Sequence, residues 1–170
     1  SARHQFLRVR RFRMEQNQRL VLCVDTGRLM ADLIEGLERL DHAIHAALLL
    51  SRVALKAGDL VGVHAYGEHP EAWVPMGGGM RQMARISRGL AKLESAPAET
   101  NHVLGIHGLL GKMRRRSLVV VFTEFTDSTT AELMVEHLGH LAKRHLVVFV
   151  ALDDPAIEDR IGQEPKTAED

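Results

Sequence analysis

The chain has 170 residues, with 22 Lys plus Arg set against 22 Asp plus Glu. This length fits one domain with a real core, and the balanced charge excludes an overall electrostatic pull toward nucleic acid or an anionic membrane. A single cysteine, Cys23, excludes an intramolecular disulfide and fits a reduced, cytoplasmic setting, and no apolar run approaches the ~20 residues that a membrane span needs. The opening SARHQF has neither an initiating Met nor the shape of a signal peptide, and reads as part of something longer.

In chain order, the first element is the apolar run LVLCV (residues 20–24), which ends on Asp25. DHAIHAALLLSRVALKAG then reads as a helix with Asp41 as N-cap, Ile44, Leu48 and Leu55 on its inner face, and a stop at Gly58. DLVGVHAYG alternates like a strand, and AWVPM reads as a short edge strand because Pro75 cannot donate to a ladder. PMGGGM lacks the Lys-Ser/Thr ending of a phosphate-cradling loop and reads as the turn into the next helix. That helix places Met83, Ile86, Leu90 and Leu93 on one face; the next places Val103, Ile106 and Leu110 together despite three glycines. Arg114, Arg115 and Arg116 end this third helix, where cations suit the macrodipole. LVVVF (118–122) is a strand followed by TEFTD, a fourth helix aligns Met134, Leu138, Leu141 and Ala142, and LVVFVAL (146–152) is the last strand.

Continuous aliphatic runs without polar alternation suit strands covered on both faces, and strand alternating with helix predicts a doubly wound, mostly parallel α/β sheet with helices on both faces. Ligands in such sheets sit beyond the carboxyl ends of the strands, which is where Asp25 and the TEFTD loop fall. Residues 1–155 read as one domain and 156–170 as a charged tail, either disordered or a helix cut short.

The competing chemical signals are weaker. His42 and His45, and likewise His137 and His140, are three apart, but neither pair has a third ligand close in sequence and H-E-x-x-H is absent, so they read as polar-face residues. Arg8, Arg10, Arg11 and Arg13 lack the aromatic interleaving of single-strand platforms, since aromatics make up 4% of the chain; contact with a protein or an upstream domain is the better reading. No G-x-S-x-G occurs, Cys23 lies inside its strand, and Ser128 reads as the N-cap of a helix beginning near Thr130.

The order of elements and the two acidic strand ends resemble a von Willebrand factor type A domain. RRFRMEQNQRLVLCVDTGRLM, GDLVGVHAYG, RRRSLVVVFTEFTD and LAKRHLVVFVALDDP resemble, more narrowly, the bacterial family called domain of unknown function 58. The resemblance implies a longer protein, with membrane-spanning segments and a further domain before this part and a helix and strand after it. An absent last strand would leave a sheet edge open to pairing with a second copy. It also implies a non-enzymatic interaction domain working with a MoxR-type AAA+ ATPase in a chaperone-like role, cytoplasmic and tethered to the inner membrane in the full-length protein.

Type A domains are known for a metal-ion-dependent adhesion site, Asp-x-Ser-x-Ser with a later Thr and Asp, which suits Mg²⁺ or Mn²⁺ and its demand for octahedral oxygen ligands. Mapped here, Asp25 holds the first position and Thr100 the threonine, while Gly27 and Leu29 replace both serines and Glu124 replaces the aspartate. The expected consequence is a degenerate site in which Asp25 is a carboxylate hydrogen-bonded to loop amides and solvated at the sheet's edge; a sharper alternative has Arg28 standing in for the ion between Asp25 and Glu124. The loops carrying Asp25, Thr26, Gly27, Arg28, Thr100, Asn101, Glu124 and Asp127 then present a surface to a protein. Two rivals stay open: a divalent ion still held through water by Asp25, Thr100, Glu124 and Asp127, and a metal-dependent phosphoesterase using the same acids.

Overall fold

The computed structural model describes residues 17–125 and 141–152, with positions 132, 134, 136, 138 and 139 between them. In chain order the elements are β1 (Arg19–Asp25), a 3-10 turn (Arg28–Ala31), the two-residue strands β2 (Leu33–Ile34) and β3 (Leu37–Glu38), α1 (Arg39–Lys56), β4 (Leu60–Tyr66), β5 (Pro70–Gly77), α2 (Met80–Leu90), α3 (His102–Leu110), β6 (Leu118–Phe122) and β7 (Leu146–Val150). The main sheet runs β5-β4-β1-β6-β7, parallel except for β5, and β2 pairs with β3 in a separate hairpin. This is the doubly wound α/β architecture expected from the three apolar runs.

Both faces of the central strands are covered, which is why β1 and β6 carry no polar alternation. Leu20, Leu22, Val24, Val61, Val63, Val120 and Phe122 join α1 and α2 in one core cluster. Val21, Cys23, Tyr66, Val119 and Val121 join α3 and the helical positions Met134, Leu138 and Leu141 in the other. Ala142, expected on the same stripe, is exposed.

Several expectations need correction. α1 begins at Arg39 with Glu38 as its N-cap residue, three residues before Asp41, because β3 delivers the chain straight into the helix and the Glu38 carboxylate is spent on Ser95 Oγ (2.8 Å). Its buried seam is Leu40, Ala43, Ala47, Ser51, Ala54 and Leu55, with Ile44 and Leu48 only half-buried. The helical period was right, but the small residues let the backbone approach the sheet and the larger ones flank them. Gly58 ends the helix at φ +89°, in the left-handed region that favours glycine. In α3 the inner face is Gly105, Ile106 and Leu109, and Val103 is 39% exposed. Gly105 lies flat on the Tyr66 ring, where a Cβ would come within 2.3 Å of Cδ2, so a glycine that weakens the helix is required by packing. Arg114 to Arg116 lie beyond the end of α3, in the connection to β6.

β5 is longer than the expected edge strand, and its register against β4 shifts between Val61 and Val63. Gln82, on α2, is buried there and donates from Nε2 to Val61 O (2.8 Å) and Pro75 O (2.7 Å). Gln82→Leu leaves both carbonyls without that donor in an apolar setting and is expected to lower the unfolding free energy by about 2–3 kcal/mol; a urea midpoint unchanged from wild type would refute the role.

β7 departs most from expectation. Val147 and Phe149 pack on the α3 side, but on the other face Leu146 and Val148 are 58% and 43% exposed. Among the described residues β7 ends the sheet and α1 and α2 lie over its other half, so only Val150 and Leu152 reach their cluster. The strand ends at Val150, two residues before the apolar run does.

Candidate functional site

The parallel register aligns Asp25 with Tyr66 and Val24 with Phe122, so β1, β4 and β6 release their loops at one edge. Backbone hydrogen bonds tie these loops to the segment before α3: Thr26 N to Tyr66 O (3.0 Å), Ala96 N to Thr26 O (2.8 Å), Arg28 N to Ala98 O (2.9 Å) and Asn101 N to Gly67 O (2.9 Å). Asn101 also caps α3, its side chain accepting from Leu104 N at 3.0 Å.

Asp25 is the centre of the arrangement and is 2% exposed. Its Oδ1 accepts from Gly27 N (2.8 Å) and from the Thr100 hydroxyl, and its Oδ2 accepts from the Thr123 hydroxyl (2.6 Å). Gly27 is extended at φ −71°, ψ 180°, a conformation open to any residue, so space rather than backbone freedom demands glycine. A Cβ there would lie 1.9 Å from Thr100 Oγ1. Glycine at 27 and closure of Thr100 onto Asp25 are thus one packing solution.

The cation at this edge is not the expected one. Arg28 pairs with Glu99 through Nε and Nη2 (2.8 and 2.6 Å), with both side chains largely exposed, and does not bridge Asp25 and Glu124. Arg39, the first residue of α1, takes that place beside Glu124, with Nε 3.7 Å from Oε2. It also donates to Asp32 Oδ2 (2.8 Å) and to the carbonyls of Leu29 (3.2 Å) and Leu152 (3.3 Å). Glu124 accepts from Phe125 N through Oε1 (2.9 Å). Thr26 donates to Glu71 Oε1 (2.6 Å). Asp127 lies outside the described residues, as do Ser128, His137 and His140.

Thr123, Arg39 and Glu71 were not singled out by sequence reasoning. Thr123 was findable as the first residue after β6, pointing back to the Asp25 end of β1; Arg39 was not, because 14 positions separate it from Asp25 and only the β2–β3 hairpin returns the chain.

The residues present do not fit an octahedral Mg²⁺ set in this arrangement. Gly27 and Leu29 bring no side-chain oxygen, the Thr100 hydroxyl donates to Asp25, and Glu124 faces a guanidinium. Among the described residues no three His, Cys, Asp or Glu side chains converge as a metal-holding group. His42 contacts Ile34 O (3.0 Å) and His45 is exposed, so that pair does not converge either. The Cys23 thiol is buried, which pushes its pKa far up and keeps it inert.

His102 stands at the site edge between Tyr66 and Phe125, ring centroids 5.9 and 6.2 Å away. Burial pulls its pKa below the ordinary value, opposed by the charge of Asp25. Burial does the same to His64, and to His145 with help from Arg144. Each ring binds a proton less readily folded than unfolded, so stability is full above the ordinary value of 6.5 and is lost as pH falls from there toward the lower folded values. The urea midpoint is expected to fall between about pH 7.5 and pH 5.5, a window above most carboxylate titration; a flat profile would refute it.

No helix among the described residues is long and apolar enough to cross a membrane. The family model described as protein of unknown function DUF58 matches residues 1–163. No curated protein matches the chain. Among solved structures it is similar to the conserved hypothetical protein BatB from Bacteroides thetaiotaomicron (12% identity, TM-score 0.55, covering 85% of this chain and 95% of that one). It is similar also to the SpRpn10 VWA domain (9% identity, TM-score 0.51, 88% and 96%). The three N-terminal domains of the type V pili tip protein Mfa5 from Porphyromonas gingivalis match at 14% identity and TM-score 0.53 over 63% of this chain, which spans only 19% of that one. At these identities the likeness establishes a von Willebrand factor type A-like fold.

Proposed function

Because the chain belongs to the DUF58 family of proteins of unknown function, with a type A-like fold, we propose that its carboxyl-edge loops form a non-catalytic, metal-independent docking surface for a protein, with a MoxR-type AAA+ ATPase as the partner class. The observation that carries this reading is the internal satisfaction of Asp25: three donors hold its carboxylate, so the loops keep their shape without an ion between protein and partner. The neighbouring hairpin supports it, since Leu33 and Leu37 are exposed on either side of the exposed acid Glu35, a mixture that suits a largely apolar partner surface with a basic group. The setting that goes with this role is cytoplasmic, with the full-length protein tethered to the inner membrane.

Two titrations test it. Calorimetry of the chain alone with Mg²⁺ and with Mn²⁺ is expected to show no saturable heat; an EDTA-reversible signal lost in Asp25→Ala would overturn metal independence and restore the adhesion-type reading. Binding to a MoxR-type ATPase is expected to weaken at least tenfold, about 1.4 kcal/mol, in Leu33→Ser/Leu37→Ser; absence of binding by wild type would remove the partner class. Mn²⁺-dependent turnover of a phosphodiester would replace docking with catalysis.

A further inference from the structure

At the pole opposite the docking edge, the amino ends of β1, β6 and β7 line a cavity of about 660 Å³ that opens broadly to solvent. Its wall carries Arg19, Arg115 and Arg116, with Asn17, Gln18, Ser117, Leu118 and Leu146 around them. Among the described residues no carboxylate forms an ion pair with any of the three arginines, and Arg19 Nε is buried without an acceptor. His145, beside Leu146 in the chain and nearly fully buried, accepts from Ser117 N through Nδ1 (3.2 Å). Its proton is therefore on Nε2, a second buried donor without a partner. Lys143, Arg144 and Arg114 stand exposed on the same two connections. The nearby acid Asp59 accepts from Gln18 N (3.1 Å).

We propose that this cavity binds a phosphoryl group carried on a molecule with an apolar part. Guanidinium groups pair with phosphate through parallel N–H···O bonds, and a phosphate monoester offers three terminal oxygens to three arginines, where a carboxylate offers two. The cavity is much larger than a bare phosphate, and Leu118 and the exposed Leu146 give the remainder an apolar floor. The Arg115 and Arg116 side chains are exposed at the wall, where an entering anion can reach them. A soluble phosphate ester and an anionic lipid headgroup share this chemistry.

The test uses the full chain with two probes: glycerol 3-phosphate followed by calorimetry and amide shifts, and vesicles containing phosphatidic acid, a lipid with a phosphate monoester headgroup, against phosphatidylcholine vesicles in flotation. Saturable binding of the first assigns a soluble ester, and selective flotation with the second assigns a headgroup. In either case Arg115→Gln/Arg116→Gln and Arg19→Gln are expected to weaken binding at least tenfold, Arg115→Lys/Arg116→Lys less, and Arg85→Gln/Arg88→Gln on α2 not at all, with thermal unfolding confirming that each variant is folded. Binding should also fall as salt is raised. Failure of both probes with wild-type protein, or equal binding by the cavity variants and the α2 control, overturns the proposal.

Discussion

Asp25→Ala is expected to lower the unfolding free energy by about 3 kcal/mol or more, because it leaves the Gly27 amide and the hydroxyls of Thr100 and Thr123 without their acceptor in a buried site. Asp25→Asn should cost less, about 1–2 kcal/mol. Its amide oxygen can keep the two donors that meet at Oδ1, and the Thr123 hydroxyl can rotate to accept from the new NH₂. The order wild type, Asn, Ala is the diagnostic, read from urea unfolding with an unchanged slope. It separates a structural carboxylate from a vacated metal ligand, whose removal relieves charge at the site and has little reason to destabilise. Alanine within about 0.5 kcal/mol of wild type would contradict the role assigned to Asp25.

Gly27→Ser returns a hydroxyl to the first serine position and is expected to destabilise by about 2–3 kcal/mol, because the added Cβ meets Thr100 Oγ1 at 1.9 Å. The backbone conformation at 27 does not oppose it, so the effect is steric and the Oγ1 contact is its largest part, with Thr100 Cβ and N also close at 3.1 Å. Thr100→Ala removes the obstructing oxygen, and in that background the serine should cost at least 1 kcal/mol less, a coupling well outside the error of a double-mutant cycle. Additive costs would show that the loop moves instead of clashing. The serine variant alone should not gain Mg²⁺ affinity, since position 29 remains leucine and Arg39 remains beside Glu124.

Much of the scaffold was readable in the residues. The uninterrupted runs 20–24 and 118–122 can be satisfied only by strands covered on both faces, and that requirement leads to the parallel sheet and to Asp25 and Glu124 at its carboxyl edge. That Gly27 and Leu29 bring no side-chain oxygen is equally visible, because it is a property of residue type. The run 146–152 misled, since an apolar sequence records a preference for burial and not whether an element arrives to cover it; Leu146 and Val148 stay exposed. In α1 the period showed which residues share a face, but the seam fell on Ala43, Ala47 and Ala54 because close approach to the sheet favours small side chains.

The linear order of residue types thus determined the class of fold, the edge where loops gather and the residues, Gly27 and Leu29, that follow Asp25 there. Three-dimensional packing decided the rest: Thr100 and Thr123 closing on Asp25, Arg39 rather than Arg28 reaching Glu124, and Arg19 meeting Arg115 and Arg116 across strands almost a hundred residues apart. The division has a physical cause. Burial preference and donor chemistry belong to each side chain, whereas a hydrogen bond or an uncompensated charge belongs to a pair, and pairs distant in the chain exist only once the backbone has brought them together.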